Sequence, residues 1–170
     1  YGNFAHMAPK LVKLTEEGAR FMIFGLSTED LKGHTICGQN LEGGELATRP
    51  LVGLGRKRIV FLGDASDEQP EFKLRYEGYC KALRDTGLPL DEELRVHAKN
   101  QETAGYEAVA RLLESGLEFD GLFAVTDLIA FGALKCLRKS GVKVPQEISV
   151  VGFDDLPAAT YFSPSLTTIR

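Results

Sequence analysis

The sequence has no long apolar run, few cysteines and no excess of positive charge. Its apolar stretches, such as residues 21–24, are strand-sized, whereas a transmembrane helix needs about 18 or more apolar residues in a row. The three cysteines fit neither a zinc-binding spacing nor a disulfide framework, so we expect buried, reduced thiols in a cytoplasmic protein. The formal net charge of −4 gives these residues no general attraction for nucleic acid. We therefore expect no membrane partner, and any DNA contact would have to come from another part of the protein.

The sequence also lacks the short motifs of common enzyme classes. There is no G-x-S-x-G elbow, no H-E-x-x-H helix and no P-loop, and the three histidines stand apart from one another. Residues 53–55, Gly-Leu-Gly, follow a predicted helix and precede a strand, which reverses the order that dinucleotide binding needs. The acidic pair Asp154 and Asp155 follows the last of the strands, whereas a phospho-acceptor receiver domain would carry it after the first. We predict no catalytic residues, no metal and no cofactor.

Short apolar runs alternate with amphipathic helical stretches along the chain. The expected strands are uniformly apolar, as is typical of parallel strands covered on both faces, and comprise residues 21–24, 35–37, 59–62, 94–98, 122–125 and 148–153. Pro9 is expected to open a first helix and Gly18 to close it. Helical periodicity then marks residues 41–52, 70–86, 104–115 and 128–139. This alternation predicts an α/β fold with a doubly wound parallel sheet.

The residues that follow the predicted strands form the candidate site, because ligands of open parallel sheets bind beyond the carboxyl ends of the strands. The polar residues expected at that edge are Asp64, Asn100, Asp127, Asp154 and Asp155, joined by Arg75 from the start of a helix. Carboxylates accept hydrogen bonds from pairs of hydroxyls, and arginine donates in a fixed fork. The edge therefore suits a polyhydroxyl or otherwise polar ligand.

Each of these residues also has an interpretation without a ligand. Asp127 precedes a helix and could serve only as its N-cap. Asn100 and Asp64 are common turn residues, Asp154 could begin a turn, and Arg75 could lie exposed on its helix. The convergence on one edge favours a ligand site.

Several segments resemble motifs of the lactose-repressor (LacI/GalR) family of transcriptional regulators. Residues 40–48, NLEGGELAT, and residues 54–59, LGRKRI, are similar to the family's DN-x-x-GG-x-x-AT and LGHRRI. Residues 75–83 resemble R-x-x-G-[YF]-x-x-A-L, and residues 126–134, TDLIAFGAL, resemble N-D-x-M-A-x-G-A-L.

Two further segments continue the resemblance toward the end of the chain. Residues 144–155, VPQEISVVGFDD, are similar to V-P-x-D-[IV]-S-[VL]-V-G-[FY]-D-[DN], and residues 163–169, SPSLTTI, to P-x-L-T-T-[IV]. The motifs keep the family's order and spacing over about residues 8–170. The resemblance implies a type I periplasmic-binding-protein-like domain, represented mostly by its C-terminal lobe with part of the N-terminal lobe. Residues 1–40 would end the N-terminal lobe, residues 41–160 would form the C-terminal lobe, and residues 161–170 would be the strand crossing back.

The resemblance also implies a function for particular positions. Family members are usually dimers that bind an effector between the lobes and operator DNA through an N-terminal helix-turn-helix, which would precede Tyr1. Arg75, Asp127 and Asp154 match positions that typically contact the effector. Asn100 stands where many members place an aromatic residue, and Gln39 replaces a frequent acidic residue near the lobe crossover.

The resemblance therefore predicts a cytoplasmic sensor of a small polar, sugar-like effector. A periplasmic sugar-binding protein of a transport system shares the fold and the cleft and is the alternative. The regulator is favoured by the motif at residues 164–169 and by three cysteines without a pairing pattern. An α/β enzyme is the third possibility, but the sequence offers no nucleophile with a neighbouring base.

Overall fold

The computed structural model describes residues 4–25 and 29–170, and the chain divides into two compact units, Tyr1–Gln39 and Asn40–Arg170. The first unit contains α1 (Phe4–Glu16), β1 (Ile23–Phe24), a 3-10 helix (Glu29–His34) and β2 (Thr35–Ile36), and its two short strands pair in parallel. Gly18 closes α1 as predicted. Its φ of +74° is accompanied by hydrogen bonds from the backbone nitrogens of residues 18 and 19 to the carbonyl oxygens of residues 15 and 14.

The prediction that Pro9 opens the first helix is wrong. The helix begins at Phe4, so Pro9 lies in its sixth position. A proline there removes one backbone hydrogen bond, but it does not prevent the preceding residues from adopting helical geometry.

The second unit alternates helices and strands throughout. Its longer elements are α2 (Asn40–Gly53), β3 (Ile59–Leu62), α3 (Pro70–Asp85), β4 (Arg95–Val96), α4 (Glu102–Ser115), β5 (Gly121–Ala124), α5 (Asp127–Lys139), β6 (Ser149–Phe153) and β7 (Thr167–Ile169). Two short 3-10 helices cover Glu92–Leu94 and Pro157–Tyr161. The strand expected over residues 94–98 is reduced to two residues, because Leu94 ends the 3-10 helix before it.

The five strands of the second unit form one parallel sheet in the order β4-β3-β5-β6-β7, which confirms the predicted doubly wound α/β fold. All residues of β3 and β5 are buried, as strands covered by helices on both faces require. The chain moves from β3 outward to β4 and then returns across β3 to β5. This reversal places the topological switch point between β3 and β5, where open α/β sheets bind their ligands.

The helices pack as two close pairs, α2 with α3 and α4 with α5. A Cβ atom on Gly44 would lie 2.1 Å from a backbone oxygen of α3, and one on Gly78 would lie 2.0 Å from a backbone oxygen of α2. Gly105 and Gly132 make the same reciprocal approach between α4 and α5, at 2.2 and 1.9 Å. Because right-handed crossovers in opposite directions lie on opposite faces, α3 and α4 cover different sides of the sheet.

The remaining predictions concern the last strand and the cysteines. The expected crossing strand lies, over Thr167–Ile169, in the sheet of the second unit, paired with β6. Cys80 and Cys136 are buried as predicted, whereas Cys37 is exposed, so the prediction is wrong for that thiol. Apolar neighbours in the sequence did not place Cys37 in a core, since it follows a strand of only two residues.

Within the parts of the chain that the structure describes, no helix is both long and apolar enough for a membrane span.

Candidate functional site

Arg75 is the centre of a hydrogen-bond network at the carboxyl edge of the sheet. The side chain leaves the second turn of α3, and the residue is 7% exposed. Its Nε donates to Asn40 Oδ1 at 2.8 Å, and its Nη1 donates to the carbonyl oxygen of Val125 at 2.6 Å and to Asp154 Oδ1 at 3.3 Å. Its guanidinium carbon lies 3.6 Å from the centre of the Phe153 ring. The alternative of a solvent-exposed arginine is therefore excluded.

The second terminal nitrogen of Arg75, Nη2, keeps its donors available. It makes no hydrogen bond within residues 4–25 and 29–170. Every fully buried side-chain nitrogen or oxygen in that part of the chain has a partner, so Nη2 is not fully buried. Two of the five N–H donors of the guanidinium therefore have no partner among the described residues, next to the ion pair with Asp154.

Asp154 is held in a backbone conformation that L-residues rarely adopt. It follows β6 directly, its φ is +110°, and its neighbour Asp155 has φ +49°. Burial raises the pKa of Asp154 to about 6, with Arg75 opposing that rise and the carboxylate of Asp127 adding to it. A strained non-glycine residue with a shifted pKa is typical of a functional site.

Asp127 faces inward at the same edge and is fully buried. Its Oδ2 accepts a hydrogen bond from the backbone nitrogen of Leu156 at 2.8 Å, and its Oδ1 accepts one from the Thr168 hydroxyl at 2.6 Å. Burial raises the pKa of Asp127, and these hydrogen bonds counteract the rise. The N-cap of α5 is Thr126 and not Asp127, so the capping explanation for Asp127 is wrong.

The pairing of β6 with β7 makes room for that carboxylate. Gly152 lies opposite Thr168 in the register of the two strands. A Cβ atom on Gly152 would lie 2.2 Å from Asp127 Oδ1. Gly152 therefore leaves space for the Asp127 carboxylate, and the Thr168 hydroxyl donates a hydrogen bond to it. Through its hydrogen bond with Leu156, Asp127 links α5 to the turn that follows β6.

Asn100 joins the site through Thr126. It is exposed in the loop after β4, and its Oδ1 accepts a hydrogen bond from Thr126 Oγ1 at 2.7 Å. Since Arg75 binds the carbonyl oxygen of Val125, the guanidinium and the amide contact consecutive residues at the end of β5. Gln39 is exposed and is the last residue of the first unit.

The structure thus brings Arg75, Asp154 and Asn100 to one edge, with Asp127 beneath them. Sequence reasoning missed a contact between Asp64, which follows β3, and His97, which follows β4. Asp64 Oδ1 lies 3.7 Å from His97 Nδ1. Sequence reasoning had treated the histidine as isolated, although both residues follow neighbouring strands, which was the available signal.

Asn40 and Thr168 were also missed, although both match letters of the family motifs that residues 40–48 and 163–169 resemble. Asn40 begins α2 and is buried against Arg75, which lies 35 residues later in the chain. Thr168 meets Asp127 only through the register of β7.

Two depressions of the surface lie away from this edge. One of about 660 Å³ belongs to the first unit and is lined in part by His34, and one of about 550 Å³ lies beside α4. Neither contains the charged network, so the chemistry and not the volume identifies the candidate site. In the second unit the candidate site is therefore an open surface at the sheet edge.

Comparison with known proteins gives a consistent result. A family model described as "Periplasmic binding protein-like domain" matches residues 48–170. The HTH-type transcriptional regulator GalS of Salmonella typhimurium is 36% identical over 135 residues, which make up 79% of this chain and 39% of GalS. The chain therefore spans about two fifths of the length of this curated relative.

Solved structures of LacI-family proteins share the fold. A transcriptional regulator of the LacI family from Sanguibacter keddieii is 40% identical with a TM-score of 0.76, covering 79% of this chain and 51% of that one. A complex of the transcriptional regulator CelR with cellobiose is 30% identical with a TM-score of 0.84, covering 95% of this chain and 49% of CelR. The chain therefore belongs to the periplasmic binding protein-like domain family and, within it, to the LacI family of transcriptional regulators.

Proposed function

We propose that this chain is the effector-sensing part of a transcriptional regulator and that its carboxyl sheet edge binds a small polar, sugar-like ligand. The proposed ligand contacts are Arg75, Asn100 and Asp154, all in the second unit. Asp127 contributes indirectly: its fully buried carboxylate accepts a hydrogen bond from the backbone nitrogen of Leu156 and so holds the turn that carries Asp154.

One observation carries this proposal: unpaired donors and a strained carboxylate meet at the switch point of the sheet. The free Nη2 of Arg75 donates, and the carboxylate of Asp154, held at φ +110°, accepts. A sugar hydroxyl can satisfy both, since it donates one hydrogen bond and accepts others. The cellobiose complex of CelR supports a ligand of this class.

Regulation follows from a shift between two arrangements of the protein. A ligand moves such an equilibrium only by its differential affinity for the two states, and DNA affinity changes by linkage. Operator DNA would be bound by a helix-turn-helix domain outside these residues, in keeping with the name of GalS, and the protein would act as a cytoplasmic homodimer. The proposal includes no catalytic step.

A thermal-shift screen of the full-length protein tests this function. The panel contains sugars, sugar phosphates, nucleosides and purine bases, each against a buffer control. A ligand at 100 times its Kd stabilises the folded state by about 2.7 kcal/mol, which raises the melting temperature by several degrees. We expect a hit among the sugars. A panel without any stabilising compound contradicts the proposed function, and a hit only among the bases contradicts the sugar-like ligand.

A further inference from the structure

The segments at the carboxyl edge of the five-stranded sheet carry an excess of negative charge. They are the loops after the strands together with the first turns of the helices that follow, at residues 63–75, 97–105, 126–130, 154–166 and 170. The chain has 24 acidic side chains and 20 lysines or arginines, of which these segments hold eight and four, so 16 of each kind lie elsewhere. The net charge of −4 is therefore concentrated around the candidate site.

Most of the cations at this edge are already paired with carboxylates. Three of the four form ion pairs within the same segments: Arg75 with Asp154, Lys73 with Asp67 and Arg170 with Asp155. The fourth, Lys99, is exposed and makes no ion pair within residues 4–25 and 29–170. An anionic ligand would therefore find little positive charge that a carboxylate of the protein does not already balance.

Three helices begin at this edge, and a helix N-terminus by itself favours an anion. Each of them carries an acidic residue in its first turn, namely Glu71 in α3, Glu102 in α4 and Asp127 in α5. These carboxylates complement the positive ends of the helix dipoles. The helix N-termini therefore do not offset the excess of negative charge.

The guanidinium of Arg75, which the proposed ligand contacts, faces three carboxyl groups. Burial lowers the pKa of this arginine, and the negative charges of Asp154, Glu71 and Asp127 oppose that effect. Glu71 precedes the arginine by four residues and therefore lies on the same face of α3. Because burial raises the pKa of Asp154 only to about 6, its carboxyl group is ionised at pH 7.5. The residue Arg75 is 7% exposed and its Nη2 has no partner among the described residues, so it still offers hydrogen bonds, but its charge is outweighed.

We propose that this site selects uncharged ligands and rejects anionic ones, so that it binds a sugar in preference to the phosphate ester of that sugar. The inference rests on the proposed function and deepens it, because it assigns the charge of the ligand. A hydroxyl can accept from Arg75 Nη2 and donate to Asp154. A phosphate group offers only acceptors and brings a charge of about −1.5 to −2 next to the carboxylates of Asp154 and Glu71. Like charges at this distance from bulk water repel more strongly than they would in solution.

Salt separates rejection by charge from rejection by size, because ions screen repulsion but do not enlarge a site. The Debye length is about 10 Å at 0.1 M salt and about 3 Å at 1 M. The probes are the sugar that stabilises the full-length protein most in the screen and its terminal monophosphate, for example glucose with glucose 6-phosphate or ribose with ribose 5-phosphate. Both are titrated calorimetrically at pH 7.5 and at both salt concentrations.

Glu71→Gln removes one of the carboxylates with little change in shape. Glu77→Gln is the matched control, because it makes the same change on the same helix, on an exposed side chain. Glu77 follows Arg75 by two residues and therefore points to the opposite side of α3. Neither glutamate is among the proposed ligand contacts, so both variants should keep the wild-type affinity for the sugar.

We expect the phosphate ester to bind the wild type at least about tenfold more weakly than the sugar at 0.1 M salt, and this gap to narrow at least about threefold at 1 M. Glu71→Gln should narrow the gap about two- to fivefold at 0.1 M salt, and Glu77→Gln should leave it unchanged. An ester that binds as tightly as the sugar at 0.1 M salt overturns the inference and leaves the ligand site intact. A gap that is unaffected by salt or by Glu71→Gln also overturns it, since size and not charge would then exclude the ester. If neither compound binds the wild type, the proposed function itself fails.

Discussion

The contact between α4 and α5 offers a direct test of how packing positions the site. A Cβ atom on Gly132 would lie 1.9 Å from the carbonyl oxygen of Glu102 and 2.7 Å from the backbone nitrogen of Tyr106. Real Cβ atoms essentially never come within 3.0 Å of such atoms, so Gly132→Ala must move the two helices apart by about 1 Å. The loops before these helices carry Asn100 and Thr126, so the same movement lengthens their hydrogen bond.

The expected loss of stability follows from two opposing effects. Overpacking a well-packed core costs about 1–3 kcal/mol, and a clash with two backbone atoms belongs at the upper end. Alanine recovers about 1 kcal/mol of helix propensity relative to glycine. We therefore expect Gly132→Ala to lower the free energy of unfolding by about 2 kcal/mol.

Gly53→Ala is the matched control for that experiment. Gly53 also lies in a helix, but a Cβ atom there would meet nothing within 4 Å. The same substitution should leave stability unchanged or raise it by up to about 1 kcal/mol. Urea denaturation of both variants measures the difference. If Gly132→Ala is as stable as Gly53→Ala, the close approach of α4 and α5 is wrong.

Three further predictions concern charge, a buried hydroxyl and the thiols. The pKa of Asp154, raised from 3.8 to about 6, means that the folded state binds the proton more tightly than the unfolded state does. Protonation of Asp154 therefore stabilises the folded state in full below about pH 4, and this stabilisation is lost as the pH rises toward 6. The unfolding free energy of the wild type minus that of Asp154→Asn should fall between about pH 4 and pH 6. A difference that does not change with pH would contradict the raised pKa. Thr168→Val, which removes a hydrogen bond from a buried carboxylate, should cost about 1.5–3 kcal/mol in urea denaturation, and a loss below about 0.5 kcal/mol would exclude that bond. In the native protein only Cys37 should react rapidly with a thiol reagent, because burial raises the pKa of Cys80 and Cys136; a second fast thiol would contradict their burial.

The sheet could be predicted because its central strands are uniformly apolar. Residues 59–62 were predicted as a strand and form β3 without a change of boundary, because this apolar run is strand-sized, contains β-branched and aromatic residues and is followed by Gly63. At the sheet edge the same rule fails. Leu94 is apolar and buried, yet it belongs to a 3-10 helix, because burial alone does not distinguish a strand from a short helical turn.

The sheet edge at which the candidate residues lie could be predicted, but the direction of their side chains could not. Parallel strands end at one edge, which placed Arg75 and Asp154 together. Whether Asp127 faces outward or inward depends on Thr168, 41 residues later, and on the absence of a side chain at Gly152. Such contacts are set by strand register, which no local pattern in the sequence encodes. The positive φ of Asp154 is likewise imposed by the surrounding structure.

The central claim is that Arg75 binds the effector directly, and the Kd of the best sugar for Arg75→Ala tests it. Tyr79→Phe serves as the control, because it removes a buried hydrogen bond of 2.6 Å from the same helix, to Ile59 at the beginning of β3. Loss of a charged contact of about 1.5–3 kcal/mol should weaken binding about ten- to 150-fold in Arg75→Ala, while Tyr79→Phe keeps the wild-type Kd. Equal affinity of Arg75→Ala and the wild type would show that the ligand binds elsewhere.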